Sequence, residues 1–169
     1  MQKMILKFTP IDNHTPGILA ALLFQSYAAL IRSDPTSWKE EETKWIEFDH
    51  NAFSNLGSTG ACVFLSWHER QIIGFGSFDP RPRHKFGIIG HNCILSEFRG
   101  RGYGKQQIIE ILKRFAGLGI QTAKVTTHDN PFFIPAQRMY LSCGFREAGR
   151  EPWAKVPNQY VIHYQKRIG

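Results

Sequence analysis

Apolar positions in this chain recur with two different periods, and the period changes near the middle. The segment "ILKFTP" reads as a short strand closed by Pro10. "PGILAALLFQSYAALI" is apolar almost throughout but is interrupted by Gln25 and Ser26 and is short for a membrane span. It predicts a buried helix with Thr15 and Pro16 as N-cap and first turn, running to about Arg32. "SDPTSW" predicts a loop. Trp38, Trp45, Phe48 and Ala52 then recur near helical spacing with charges between them, which predicts a second helix. Asn55 to Gly60 is rich in turn formers.

Beyond this point the pattern turns to β. "ACVFLSW" and "QIIGFGSF" are apolar runs joined by the polar "HER", which predicts a hairpin. "DPRPRHK" is a charged loop broken by prolines, with His84 expected to face solvent. "FGIIGHNCIL" predicts a third strand, where Gly87 and Gly90 point to a bulge or a close backbone approach. From Gly104 to Ala116, Ile108, Ile109, Ile111, Leu112, Phe115 and Ala116 form a helical stripe that "GLG" ends. "AKVTTH" is another strand. Pro135 opens a short helix with Ala136, Met139, Tyr140 and Cys143 on one face and Gly144 as its C-cap. Strands near Phe145 to Arg150 and Gln159 to Lys166 close the chain. The order β-α-α-β-β-β-α-β-α-β-β predicts an α/β fold with a mixed sheet of seven strands and about four helices on its faces.

Composition narrows this picture only a little. With 169 residues, 42% of them hydrophobic, the expectation is one domain, residues 1–169, able to bury a proper core. The formal net charge of +7 favours an anionic partner without naming it. Cys62, Cys93 and Cys143 lie far apart in apolar settings, which argues against a disulfide framework or a metal site and for a reducing, cytoplasmic compartment. The N-terminus "MQKMILKFTP" lacks the long apolar stretch of a signal peptide.

The chemistry concentrates in "SEFRGRGYGKQQ", residues 96–107, between a predicted strand and a predicted helix. A helix N-terminus presents unpaired N–H groups and partial positive charge. Glycines before it let the chain turn tightly and let a phosphate approach the backbone. Arg99, Arg101 and Lys105 add charge, so the block suits a pyrophosphate; a solvated basic turn is the plainer reading. Walker A fails, because Gly104-Lys105 is followed by Gln106. The dinucleotide fingerprint fails too: Gly102 and Gly104 are followed by Gln107 where glycine is needed.

Arg99-x-x-Gly102-x-Gly104 resembles the acetyl-CoA motif of the GNAT N-acetyltransferase superfamily, and "SEFRGRGYGKQQIIEIL" looks like that family's "PEYRGKGIG" opening, with Ser96 where proline is common. "AQRMYLSCGF", Ala136 to Phe145, resembles the family's second signature, an Ala-x-x-x-Tyr helix ending in Gly-Phe. The resemblance covers roughly Ala61 to Lys166. It implies the GNAT fold, with acetyl-CoA bound where two central parallel strands splay apart. Ile94 and Leu95 would then offer backbone groups to the pantetheine arm. Gly100, Arg101, Gly102, Tyr103, Gly104 and Lys105 would hold the pyrophosphate, and Arg99 would anchor the loop or its phosphates. Ala136 and Met139, on the second signature, and Asn130 would also contact the cofactor, although the "PFFIP" segment departs from the family's shorter spacing. That segment would also bring Phe132 and Phe133 toward the cofactor channel or acceptor cleft.

The implied reaction passes an acetyl group directly from thioester to amine, so it needs a proton acceptor and a donor for the leaving thiolate. Tyr140 is the expected acid, though it also lies on the apolar stripe of its helix. For the base, several positions stand as candidates. Counting back from Arg99, the positions of the expected parity are Asn92, Gly90 and Ile88, none of them a useful base. His91 has the opposite parity, which a bulge at Gly90 would reverse. Asp79, His128 and a water-mediated route are the other candidates. Cys143 is expected to pack rather than react, for want of an activating neighbour. The family resemblance further places Tyr27, Asp34, Trp38, Trp45, Trp153 and Tyr160 around the acceptor.

The aromatic content favours a small-molecule amine over a protein, with a peptide amine also open and a homodimer as one allowed assembly. An acyl-CoA-binding sensor without catalysis is the alternative. A nucleic-acid or membrane partner is not expected, because the charges are spread rather than gathered on one face.

Overall fold

The computed structural model describes residues 3–83 and 85–169, so the expectation for His84 lies outside the described residues. Two compact units emerge: residues up to Ser77 with His91–Gln107, and Phe78–Gly90 with Ile108–Gly169.

In the first unit, β1 (Lys7–Thr9), β2 (Val63–His68) and β3 (Gln71–Asp79) form an antiparallel meander, and β5 (Cys93–Ile94) pairs antiparallel with β3. The "HER" hairpin is present: His68 pairs with Gln71 and Glu69 takes a positive φ of 55°. Three helices accompany these strands: α1 (Ile18–Ser33), α2 (Pro35–Trp38) and α3 (Glu40–Ser54). They pack Leu19, Leu23 and Trp45 against Leu65, Phe75 and Leu95. The expected single helix over Trp38 to Ala52 is therefore two helices, and "SDPTSW" is largely helical: Asp34 caps α2 by accepting from Ser37 N–H at 3.2 Å. The start of α1 also differs from expectation. Gly17, with φ at +102°, is its N-cap residue, and the cap is supplied from α3. The buried Asp49 carboxylate accepts from the N–H groups of Gly17 (2.7 Å), Leu19 (2.8 Å) and Ala20 (3.2 Å).

In the second unit, the last residues of β3 pair antiparallel with β4 (Gly87–Ile89), and β4 pairs parallel with β6 (Thr122–His128). β8 (Tyr160–Arg167) lies between β6 and β7 (Arg146–Pro152), antiparallel to both. α4 spans Tyr103–Gly117, and its Ile108, Ile111 and Phe115 are fully buried. A Cβ on Gly87 would lie 2.7 Å from the Phe115 ring, so a bare backbone is required there. α5 covers Ile134–Ser142, preceded by a 3₁₀ turn at Pro131–Phe133.

The hydrogen-bonded order is β1-β2-β3-β4-β6-β8-β7, with β5 also on β3, so the mixed sheet has eight strands rather than seven. The extra strand is the expected "FGIIGHNCIL" strand broken in two. Phe78 faces Ile89; continued in step, that ladder would set Gly74 opposite Cys93, but Gly74 faces Ile94. One extra residue therefore lies in the stretch Gly90 to Asn92, and it reverses the facing of every residue beyond it.

Candidate acyl-transfer site

In the first unit the glycine block forms a loop of unusual backbone. A 3₁₀ turn at Ser96–Phe98 leads into Gly100 (φ +75°) and Gly102 (φ +80°), both in the left-handed region that glycine enters without strain. α4 begins at Tyr103, whose buried ring packs with Leu6, Ile73 and Ile94 and fixes the helix mouth. Among the described residues, the N–H groups of Gly100, Arg101, Gly102, Tyr103 and Gly104 have no backbone acceptor. Arg99 anchors the loop: its Nε donates to the Ile94 carbonyl at 3.0 Å and its Nη2 to the Ser26 carbonyl on α1. Arg101 lies over the Phe98 ring at 5.5 Å and donates to the Glu97 carbonyl at 3.2 Å. Lys105 is half-buried in the first turn of α4.

Sequence reasoning missed two members of this neighbourhood. Gln106 clamps the N-terminal segment, accepting from Leu6 N–H at 2.8 Å and donating to the Met4 carbonyl at 3.0 Å. The Lys3 ammonium lies 3.1 Å from where a Cβ on Gly102 would stand. Neither contact has a local sequence signal, since each joins residues about a hundred positions apart.

At the end of β5, Leu95 has little left to offer. Its N–H bonds Ile73 O at 2.7 Å and its carbonyl accepts from Phe98 N–H at 2.9 Å. Ile94 faces Gly74 between the hydrogen-bonded positions, so its N–H points away from β3. Of the two expected backbone donors, Ile94 is the one with an amide to give.

His91 sits just before β5 on the residues that carry the bulge. Its ring meets Phe48 edge-on at 4.9 Å, and its carbonyl accepts from Ser77 Oγ at 2.6 Å. Burial lowers its pKa below the usual histidine value; Glu41 opposes that shift and Lys44 adds to it. Simple alternation does not fix the facing of His91, because His91 lies within the stretch that carries the register slip. Trp38 and Trp45, expected beside an acceptor, are 3% and 4% exposed and belong to the core. Tyr27 packs on Trp45 at 5.4 Å. Cys93 is buried, and burial pushes its thiol up to about 11.

The second unit carries the other candidates. The β4–β6 ladder pairs Gly87 with Ala123 and Ile88 with Lys124, while β6 runs on to His128 paired with β8. Tyr140, 4% exposed, packs edge-on against Phe145 at 5.8 Å and near Tyr164 at 5.9 Å. Ala136 lies one turn before it on α5, and Met139 precedes it directly; both are partly exposed. Gly144, at φ +88°, ends α5 as expected. Asn130 caps the 3₁₀ turn, its Oδ1 accepting from Phe132 N–H at 2.9 Å, which leaves Nδ2 for any further contact. Phe133 is buried against the His128 ring at 5.4 Å. Asp79 is gripped by Arg81, whose Nη2 donates at 2.7 Å and whose Nε donates to both carboxylate oxygens. That hydrogen bonding holds the Asp79 carboxyl below its ordinary value, which makes it a weaker proton acceptor. Cys143 is buried, as expected of a packing residue.

The fold has counterparts among solved structures. An aminoglycoside 6'-N-acetyltransferase complexed with coenzyme A is similar at a TM-score of 0.72 and 15% identity, over 96% of this chain and 97% of that one. The NatC complex bound to Gag peptide and CoA gives 0.69 and 16%, over 97% and 99%. A GNAT-family acetyltransferase from Bacillus cereus gives 0.69 and 11%, over 97% and 98%. No curated protein sequence matches the chain. No helix among the described residues is long and apolar enough to cross a membrane. Residues 24–145, which hold both the glycine loop and the Tyr140 helix, match the acetyltransferase (GNAT) family, and the chain belongs to it.

Proposed function

We propose that the chain, as one acetyltransferase domain in the cytoplasm, binds acetyl-CoA and moves its acetyl group directly to the amine of an acceptor, a small molecule by preference. The observation that carries this reading is the loop: five consecutive N–H groups without a backbone acceptor among the described residues, opened by two left-handed glycines and flanked by Arg101, Lys105 and Lys3. That is a fit for a diphosphate. Gly100 to Lys105 would hold it, with Arg99 fixing the loop rather than the ligand. The Ile94 amide would pair with the pantetheine arm, and the family resemblance gives Ala136, Met139 and Asn130 cofactor contacts as well, with Asn130 Nδ2 the atom left to make one. Complexes of the similar enzymes with CoA support the same cofactor here.

Bound acetyl-CoA supplies a thioester carbonyl for attack. The chain's own residues have to handle protons. Tyr140 would donate one to the leaving sulfur. His91 serves better than Asp79 as an acceptor, because burial keeps its imidazole neutral while Arg81 weakens Asp79. One similar protein is named for an aminoglycoside and another is bound to a peptide, so the acceptor's class follows from neither.

Gly102→Val tests the cofactor reading. A β-branched residue cannot hold φ at +80° without strain, and its side chain would crowd the amides. Titration calorimetry should show CoA affinity falling at least about 100-fold, a loss of roughly 2.7 kcal/mol, while the backbone strain lowers the melting temperature by a few degrees and leaves the protein folded at the temperature of the assay. Unchanged affinity would remove the loop from the site.

A further inference from the structure

We propose that Thr126, His163 and Glu151 form a proton relay that strips the arriving ammonium of its proton and passes it to solvent. The proposal rests on the acetyl-transfer reading above. The three residues come from adjacent strands. Thr126 on β6 faces His163 on β8, and Thr126 Oγ1 lies 3.0 Å from His163 Nδ1. His163 Nε2 lies 2.9 Å from Oε1 of Glu151 on β7.

The chemistry of the partners fixes the direction of each bond. A carboxylate only accepts, so Nε2 carries the imidazole proton and donates it to Glu151. Nδ1 then holds a lone pair and accepts from the Thr126 hydroxyl. The Thr126 oxygen keeps lone pairs of its own, and this residue lines an open groove together with Phe86, Ile88, Lys124, His163 and Gln165. Ile88 and Lys124 are the last pair of the parallel β4–β6 ladder, and Thr126 is the next residue of β6 on the same face. The relay therefore opens where the two parallel strands part. Lys124 from β6 lines the groove and Glu151 reaches His163 from β7; strand pairing places Asp79 of β3, His128 of β6, Arg146 of β7 and Arg167 of β8 on the same face, with Asp79 bound by Arg81. The Lys124 ammonium sits over the Phe86 ring at 3.9 Å, which directs it at the ring.

The need for such a relay follows from proton balance. At neutral pH a primary amine is an ammonium ion with no lone pair. It must lose one proton before attack and a second as the C–N bond forms and the thioester C–S bond breaks. The second ends on the departing sulfur; the first must reach water. His91 is half-buried, with its ring packed edge-on against Phe48. The side chains of His163 and Glu151 are 42% and 64% exposed. In the relay the ammonium gives its proton to Thr126 Oγ as the Thr126 hydroxyl proton moves to His163 Nδ1. Glu151 accepts the imidazolium Nε2–H bond while water takes the Nε2 proton; exchange with water then returns the resulting Nδ1–H tautomer to the Nε2–H form before the next turnover, with no other reactant consumed.

The test uses the full chain with acetyl-CoA and two probe amines, tyramine and spermidine, and reads free thiol. For His163→Gln and Thr126→Val, kcat/KM should fall about 100-fold at pH 7, and the gap to the unsubstituted enzyme should close as pH approaches the amine's own pKa near 10. Thr126→Ser should restore the rate, and CoA affinity should not move. A defect that is constant across pH, or no defect, overturns the relay. The ¹⁵N shifts of His163 give a readout that does not need turnover: an Nε2–H tautomer supports the relay and an Nδ1–H tautomer overturns it. CoA binding without thiol release for either amine would instead overturn the acetyl-transfer reading.

Discussion

Tyr140 could be a core residue that needs no chemistry. Its ring is almost fully buried between Phe145 and Tyr164, and the apolar stripe of α5 already explains why an aromatic stands there. A hydroxyl confers no packing advantage over phenylalanine, so the oxygen itself is what the proposed acid role has to explain. Tyr140→Phe separates the two. It removes one atom, keeps the ring contacts, and should lower kcat about 100-fold while CoA affinity and thermal stability stay unchanged. A destabilised protein with an intact rate would return Tyr140 to packing. His91 shows where the sequence was legible only conditionally. Its parity relative to Arg99 could be counted, but the count depends on an unbroken strand, and the slip between the Phe78–Ile89 and Gly74–Ile94 pairings breaks it. Gly90 hinted at the bulge; only the backbone pairing shows the slip within Gly90 to Asn92, where a count from Arg99 no longer fixes the facing of His91.

The elements themselves were legible to the degree that their signals were local. The stripe of α4, the glycine end of α5, the "HER" hairpin and the glycine loop all follow from residues within a few positions of one another. The start of α1 was not legible in the same way. Thr15 and Pro16 look like a cap, yet three N–H groups of its first turn go to Asp49, about thirty residues downstream on α3. Asp49 looks in sequence like one more charge on an exposed helix face, and no periodicity distinguishes it. The structure makes it a cross-link between two helices that both bury residues against β2 and β3. Asp49→Ala should therefore cost about 3 kcal/mol in urea unfolding, combining the loss of a helix cap with that of charge-assisted hydrogen bonds. If Asp49 were an ordinary surface carboxylate, the change would stay within about 0.5 kcal/mol.

At the scale of the whole chain, the formal charge of +7 singled out no partner in the sequence, and its functional weight depends on whether the ligand responds to the total or to a few local cations. CoA is a polyanion, so both sources make its binding sensitive to salt, but they differ in range. The field of the net charge acts over distances that screening removes early, since the Debye length falls from about 30 Å at 0.01 M to about 10 Å at 0.1 M. Cations at the loop lie close to the phosphates and are screened only at higher salt, where the Debye length reaches about 3 Å near 1 M. Lys3 is the informative residue, because it stands beside Gly102 in space while the Gln106 clamp holds its segment there. For the intact chain, CoA affinity should fall by about tenfold or more as KCl rises through this range, while neutral pantetheine shows no slope. Lys3→Gln should weaken binding several-fold at about 0.1 M salt and flatten the upper part of the curve, since the lost charge is the short-range kind. If Lys3→Gln merely shifts the whole curve without changing its slope, Lys3 packs beside the loop and the total charge alone draws the cofactor in.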